Sequence, residues 1–295
     1  MRKKRKKIAV FDIVLTIIMC FIIVITLYPF LNVLAVSLND ATDTVKGGIY
    51  IWPREFTLAN YKQVFSGSSK LPLAFFNSIL RTVIGTATGV IATAMVAYVL
   101  SRRDFIFNKA VTLLFVITMY VGGGLIPEYL LIRNLGLINN FAVYILPGLI
   151  SAFNIIVIRS FMDGLPDALY ESAKVDGAND LVTFYKIVLP LCLPVIATVS
   201  LFIAVSQWNS WFDTYLYARS NNGMTTLQYE LMKIIDNANA TNVDVNNPNL
   251  QNVAKSNPQS IKMAITMVAT LPILMVYPFV QKYFVTGMTL GAVKS

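Results

Sequence analysis

Polar side chains are rare inside the long apolar stretches of this sequence, and each one kept there carries a cost that a polar pathway would explain. They are Asn77 and Arg81 in one stretch, Asn154 in another, and Gln207, Trp208, Asn209 and Trp211 at the end of a third. The segment QWNSWFDTYLY sets amide groups among flat aromatic rings. That pairing suits a sugar, whose hydroxyls bond to Gln207 and Asn209 while a C–H face stacks on the indole of Trp208. Anchoring of Trp and Tyr at a membrane–water interface explains Trp211 and Tyr215 equally well. Gln207, Trp208, Asn209, Asn154 and Arg81 are the pathway candidates. Catalysis has little to work with. The chain has no histidine, which removes the commonest general base and metal ligand. No CxxC, HExxH, GxSxG or P-loop spelling occurs, so no catalytic residue, metal site or cofactor is expected.

The elements that must position these residues follow from composition. The sequence is 56% hydrophobic and 13% charged, well below the ~25% charged of an ordinary soluble domain. Six uncharged runs lie between Asp12 and Asp40, Arg81 and Arg102, Lys109 and Glu128, Arg133 and Arg159, Lys186 and Asp213, and Lys262 and Lys282. A hydrocarbon core of ~30 Å needs ~20 helical residues to cross it, and its backbone groups must be satisfied internally. The expected fold is therefore all-α, a polytopic membrane protein of six transmembrane helices. The second should start near Phe75, with Arg81 inside it. Gly122, Gly123 and Gly124 read as a loose outer end to the third. Gly85 and Gly89, extended by Thr82, Thr86 and Thr93, make a smooth stripe that another helix can approach closely. Pro190 and Pro194 should bend the start of the fifth. Cys20 and Cys192 fall within apolar runs and read as packing residues rather than a disulfide.

Basic residues set the orientation. Met1 to Lys7 carries six of them ahead of the first run, which is too long for the ~7–15 residue core of a signal peptide. Fourteen basic residues fall on the side of the termini, concentrated in short segments. Nine are spread over the opposite loops. Both termini are thus expected in the cytoplasm. The net charge of +9 is not a nucleic-acid signature, because these residues cluster at span ends. Two outer segments are long. Residues 39–73 carry Tyr50, Trp52, Phe56, Tyr61 and Phe65, which suit an interfacial aromatic belt. Residues 213–261 include an asparagine-rich stretch that reads either as disorder or as a lid or docking surface.

Between the fourth and fifth runs lies a polar island, LPDALYESAKVDGANDLVTFYKIVLPLCLP. Pro166 and Asp167 suit a helix start, Gly177 its stop, and Asn179 or Asp180 a second cap. Glu171-Ser172-Ala173, then Gly177, then Ile187-Val188-Leu189-Pro190 resembles the EAA loop of ABC importer permeases. Ser172 departs from the commonest alanine there. The resemblance extends over nearly the whole chain. WPREFTLANYKQVF and the C-terminal QKYFVTGMTLGAVKS are similar to the carbohydrate-uptake branch, in particular its maltose-permease-G-like half. IPEYLLIRNLGLINN and QWNSWFDTYLYA look closest to permeases for pectin-type oligosaccharides such as rhamnogalacturonan or polygalacturonan fragments.

That resemblance implies a single permease domain over residues 1–295 in a bacterial inner or plasma membrane. It implies a cytoplasmic coupling loop at 161–187 and a cytoplasmic tail at 282–295. It also implies a second homologous permease, an ATP-binding subunit dimer that holds the ATP and Mg, an extracellular or periplasmic sugar-binding protein, and an oligosaccharide substrate, with no nucleic acid. Glu171, Ser172, Ala173, Gly177, Ile187, Leu189 and Pro190 become the residues that couple to the ATPase. The competing class is an ion-coupled secondary sugar transporter. It would want paired intramembrane carboxylates or matching broken helices, and the acids of this sequence stand at span ends.

The orientation has a direct test. Cysteines placed at Ser68 and Asn246 should react with an impermeant thiol reagent in intact cells, and one at Lys4 should not. Labelling at Lys4 alone would reverse the assignment.

Overall fold

The computed structural model describes residues 10–66, 70–241 and 258–292. The basic run 1–7, positions Ser68 and Asn246, most of the asparagine-rich stretch and residues 293–295 of the tail lie outside them. In chain order the α-helices are α1 (Val10–Ser37), α2 (Ala41–Thr44), α3 (Ala59–Val64), α4 (Leu71–Ser101), α5 (Asn108–Tyr120), α6 (Leu125–Asn134) and α7 (Ala152–Met162). They continue as α8 (Ala168–Val175), α9 (Asp180–Thr183), α10 (Leu189–Leu191), α11 (Leu193–Asn209), α12 (Phe212–Tyr217), α13 (Leu227–Thr241) and α14 (Pro258–Ala292). A π-helix, Phe184–Val188, joins α9 to α10, and Phe141–Tyr144 and Asn222–Met224 are short 3₁₀ turns. Among the described residues no strand forms; Asn39 and Phe56 make an isolated antiparallel bridge. The all-α expectation holds.

The chain resolves into two compact units, Met1–Ser69 with Lys233–Thr270, and Lys70–Met232 with Leu271–Ser295. In the first, α1 is apolar on all sides and its side chains are exposed over most of its length, which suits contact with lipid. Its end runs into a polar knot. Asn60 Nδ2 donates to the carbonyls of Ser37 and Asn39, each at 2.9 Å. Asn39 Oδ1 accepts from the Glu55 N–H at 2.9 Å, and its Nδ2 donates to Asp43 Oδ2 at 3.0 Å. The Asn39 hydrogen bond, joined by Lys46 and Arg54, outweighs burial and holds the Asp43 carboxyl below its usual value. Trp52, Tyr50, Phe56 and Phe65 are exposed as an interfacial belt requires, whereas the Tyr61 hydroxyl pairs with Ser37 Oγ at 2.8 Å.

The second unit is organised on α4. Pro72 starts it in the first turn, where a missing N–H costs nothing. The small residues Gly85, Gly89, Ala94 and Ala97 line its buried face, and α11 and α7 pack there. Ile155, Ile158, Met162, Val188, Val199 and Phe184 fill the core around Ala94, Ala97 and Tyr98. The glycine stripe is thus used within this chain. A Cβ on Gly85 would lie 2.8 Å from the Gln207 side chain of α11, and one on Gly89 would lie 3.4 Å from the Leu149 carbonyl.

The six uncharged runs do not become six straight spans. Among the described residues α1, α4 and the start of α14 (Gln259–Val276) are long and apolar enough to cross a membrane. The third run breaks into α5 and α6 with a 118° bend. The triple glycine is therefore a corner rather than a frayed end, with Gly124 at φ +85° and space around each of the three. The fifth run bends by 85° between Asp180–Leu191 and Leu193–Asn209. Pro190 and Pro194 cannot donate to the carbonyls four residues back, and the ladder shifts to a π turn in which Leu189 N–H reaches Phe184. The fourth run contributes only the 11 residues of α7. Gly136 and Asn139 take positive φ there, and Asn140 caps a 3₁₀ turn, so backbone breakers decide what an absence of charge could not.

Gly85→Val should lower thermal stability in detergent by about 1–3 kcal/mol, because Gln207 is pinned and cannot step aside. Gly123→Ala, with nothing within 4 Å of the new Cβ, should leave it nearly unchanged.

Candidate functional site

Arg81 projects from the first third of α4 into the space between α11, α12 and the Phe141–Tyr144 turn. Its side chain is 2% exposed. A lone guanidinium there would be strongly unfavourable, and residues 207–213, distant in sequence, supply a full set of acceptors. Its Nη2 donates to Asp213 Oδ2 at 2.6 Å and its Nη1 to Oδ1 at 3.2 Å, a two-pronged pairing. Nε and Nη2 both donate to Gln207 Oε1, at 3.2 and 3.1 Å. Nη1 also reaches the Ser210 carbonyl at 3.4 Å. The guanidinium carbon lies 4.5 Å from the centre of the Tyr144 ring, a cation–π contact.

The surrounding elements fix this arrangement. Ser210 is extended between α11 and α12, so α12 restarts with Asp213 in its first turn, near the positive end of the helix. Asp213 Oδ1 also accepts the Thr214 N–H at 2.8 Å. Gln207 Nε2 donates to the Tyr144 carbonyl at 3.1 Å, and the Tyr144 hydroxyl donates to the Met224 carbonyl at 2.7 Å. The 222–227 turn is itself tied to α4. Asn77 Nδ2 donates to the carbonyls of Gly223 and Thr225 at 2.8 and 2.9 Å, and Ser78 Oγ accepts the Leu227 N–H at 2.9 Å.

Arg81, Tyr144, Gln207, Ser210 and Asp213 form one wall of a cavity of about 270 Å³, completed by Glu128, Ser151, Asn154, Phe202, Ser206 and Tyr217. Of the sequence candidates, Arg81, Asn154 and Gln207 meet on it. Trp208 and Asn209 do not. Consecutive helical residues point about 100° apart, since one turn takes 3.6 residues. Trp208 turns inward, edge-on to Phe75 at 6.0 Å, while Asn209 is exposed and accepts from Gln228 at 3.3 Å. Trp211 is half-buried and packs on Phe212 and Tyr215. Asp213, Tyr144 and Phe202 escaped the sequence reading. Asp213 stood there only as the boundary of an uncharged run, although an acid at one run's end and an arginine inside another is itself a pairing signal.

At the elbow the structure follows the sequence closely. Gly177 takes φ +76° after α8, and Asn179 Oδ1 caps α9 by accepting the Val182 N–H at 2.8 Å. Glu171, Ser172 and Pro190 are exposed, Ile187 and Leu189 half-buried, and Ala173 buried. On the same helix as Ala173, Leu169 is half-buried. Val175, 87% exposed, Leu181, Val182 and Tyr185 are exposed apolar residues of the elbow. Arg102, at the end of α4, lies over the Tyr170 ring at 4.5 Å and near Tyr98 at 5.9 Å. Lys174 reaches Asp104 at 3.4 Å, and Arg103 reaches Asp167 at 3.0 Å. Burial opposes the Asp104 charge, yet Arg102, the backbone and Lys174 together hold its carboxyl below the usual value.

A bundle of apolar helices with a buried polar cavity and an exposed helical elbow is the construction of a transport permease. Residues 85–290 match the family described as binding-protein-dependent transport system inner membrane component, and the chain belongs to that family. It is 38% identical over 287 residues to the polygalacturonan/rhamnogalacturonan transport system permease protein YtcP of Bacillus subtilis, covering 96% of this chain and 98% of that one. It is 39% identical to protein LplC of the same organism, covering 97% and 95%. A chain in the crystal structure of a bacterial ABC transporter that imports the acidic polysaccharide alginate superposes with a TM-score of 0.82 at 27% identity, covering 96% of this chain and all of that one.

Removing Asp213 would leave Arg81 buried without its counter-charge. Asp213→Ala should therefore destabilise the protein by about 3–5 kcal/mol, read as loss of detergent-stable material or a lowered unfolding midpoint. The double variant Arg81→Met, Asp213→Ala should recover much of that loss, since the stranded charge goes too.

Proposed function

We propose that this chain is the membrane subunit of an ATP-driven importer that carries oligosaccharides past the Arg81–Asp213 cavity, and that its elbow takes up force from separate ATPase chains. The single observation that carries the reading is the buried charged cluster on a cavity wall within an apolar bundle, a costly arrangement whose default explanation is a polar pathway. The relatives supply the cargo class. Two of the proteins it resembles are named for uptake of polygalacturonan or rhamnogalacturonan and of alginate, and a third for arabinooligosaccharides. The same kinship supports a second permease chain, an ATPase dimer that binds ATP and Mg, and an external binding protein as partners. It supports a multi-pass place in a bacterial membrane with both termini inside. On this reading the chain itself performs no chemistry.

The elbow is built to pass force. Its first helix, α8, is clasped to the end of α4 by Arg102 against Tyr170 and by two ion pairs. α4 is one unbroken helix from that clasp to Arg81, about 30 Å at 1.5 Å per residue. A push on α8 therefore reaches the cavity wall through a stiff element. The Glu171 side chain is exposed and makes no hydrogen bond to another described residue, which leaves it for a docking ATPase. Ser172, Ala173, Gly177, Ile187, Leu189 and Pro190 shape the elbow around it.

Glu171→Lys should leave the membrane part folded while abolishing substrate-stimulated ATPase activity and uptake together, because truncating or reversing a desolvated interface charge costs ~2–5 kcal/mol. Gly177→Val should do the same by straining a left-handed turn, at ~1–2 kcal/mol or more for a branched side chain. Retained stimulation in both variants, with normal ATPase binding, would overturn the coupling role. An ion-coupled carrier would instead show uptake by the purified chain without ATPase subunits.

A further inference from the structure

Among the described residues the cavity wall contains one cation, Arg81, and that cation is fully engaged. Arg81 gives its N–H groups to Asp213, Gln207 and Ser210, and its face to Tyr144. Gln207 is consumed in the same way, its oxygen by Arg81 and its amide by the Tyr144 carbonyl. Asp213 neutralises Arg81, and Glu128 adds a further negative charge to the lining. An incoming carboxylate would meet no free positive group and one like charge. Hydroxyls fare differently. Ser151, Asn154 and Ser206 stand on the lining and make no side-chain hydrogen bond to any described residue. Phe202 stands one helical turn before Ser206 on α11, 39% exposed, and supplies a flat apolar face. Neutral polar groups beside an aromatic face match the alternating hydroxyl and C–H surfaces of a sugar ring.

We propose that the cavity wall built by this chain receives the neutral face of a sugar unit, with ring hydroxyls on Ser151, Asn154 and Ser206 and the C–H face on Phe202. It does not bind a sugar carboxylate, and Arg81 is a positioning residue that holds Gln207, Ser210 and Asp213 in place. This rests on the oligosaccharide reading above. It separates the contribution of this chain from that reading's acidic relatives: where a cargo carries uronates, their carboxylates must be met elsewhere in the transporter.

The test uses the complete transporter in vesicles, with saturating binding protein and internal ATP. Two cargoes are compared, a uronate-bearing oligosaccharide and the same chain with its carboxyl groups reduced to alcohols. Asn154→Ala and Ser206→Ala should each slow uptake of both cargoes by a similar factor, about threefold to tenfold for loss of a neutral hydrogen bond. Glu128→Gln should raise the ratio of charged to neutral uptake about fivefold, the relief of a like-charge contact at a few ångströms in water. Unchanged uptake of both cargoes in Asn154→Ala and Ser206→Ala, with the charged-to-neutral ratio unmoved in Glu128→Gln, would overturn this inference and leave the importer reading standing. Selective loss of the charged cargo in Asn154→Ala or Ser206→Ala would also overturn it. Absence of ATP-dependent uptake of both cargoes by the unmodified complex would instead overturn the oligosaccharide reading itself.

Discussion

A guanidinium buried to 2% exposure in an apolar bundle dictates much of what surrounds it. It must be neutralised, its donors must be filled, and the elements that supply the acceptors must be held still. Asp213 supplies the charge, Gln207 and Ser210 the remaining acceptors, and Tyr144 a polarisable face. These groups come from α4, the end of α11, α12 and a 3₁₀ turn. Arg81 thereby fastens together four segments that share little other polar contact. Gly85, one turn along α4, is small because Gln207 lies across it to reach the arginine.

The same economy appears at the other end of α4. Arg102 is again a cation between elements, set against Tyr98 and Tyr170 and paired with Asp104 at 3.4 Å. The two differ in environment. Arg102 borders the polar elbow, where its partner Asp104 is largely exposed. Arg81 is deep, and needs a formal counter-charge. A single long helix with an arginine near each end is thus connected to the cavity at one side and to α8 at the other. Between them its face is glycine and alanine, which brings α11 and α7 close. That closeness stiffens the link.

The breaks in the helices have equally local causes. The triple glycine turns the chain by 118° with no side chain to oppose it, and the proline pair turns it by 85° by withholding two hydrogen bonds. The second break lies between the elbow and α11, the helix that carries Phe202, Ser206 and Gln207. The elbow and the cavity-lining helix therefore join at Cys192, where the backbone leaves ideal helical angles.

Composition and local spelling determined the all-helical class, the place of α4, the turn at Gly177, the Asn179 cap and the membership of Arg81, Asn154 and Gln207 in one polar set. Those depend on hydrophobic run length, on the φ that glycine permits and on the cost of burying polar atoms, all of which act within a few residues. The tertiary structure decided the rest. Trp208 and Asn209 are neighbours of Gln207 in sequence, yet helical rotation sends one into the core and the other to the surface. The apparently free glycine stripe is filled by α11 of the same chain, and Ala173 of the elbow is buried within that chain. Asp213 lies 132 residues from Arg81, and a pairing at that distance exists only because the bundle closes. Sequence reports what each residue costs to bury; only packing shows which residues are buried together.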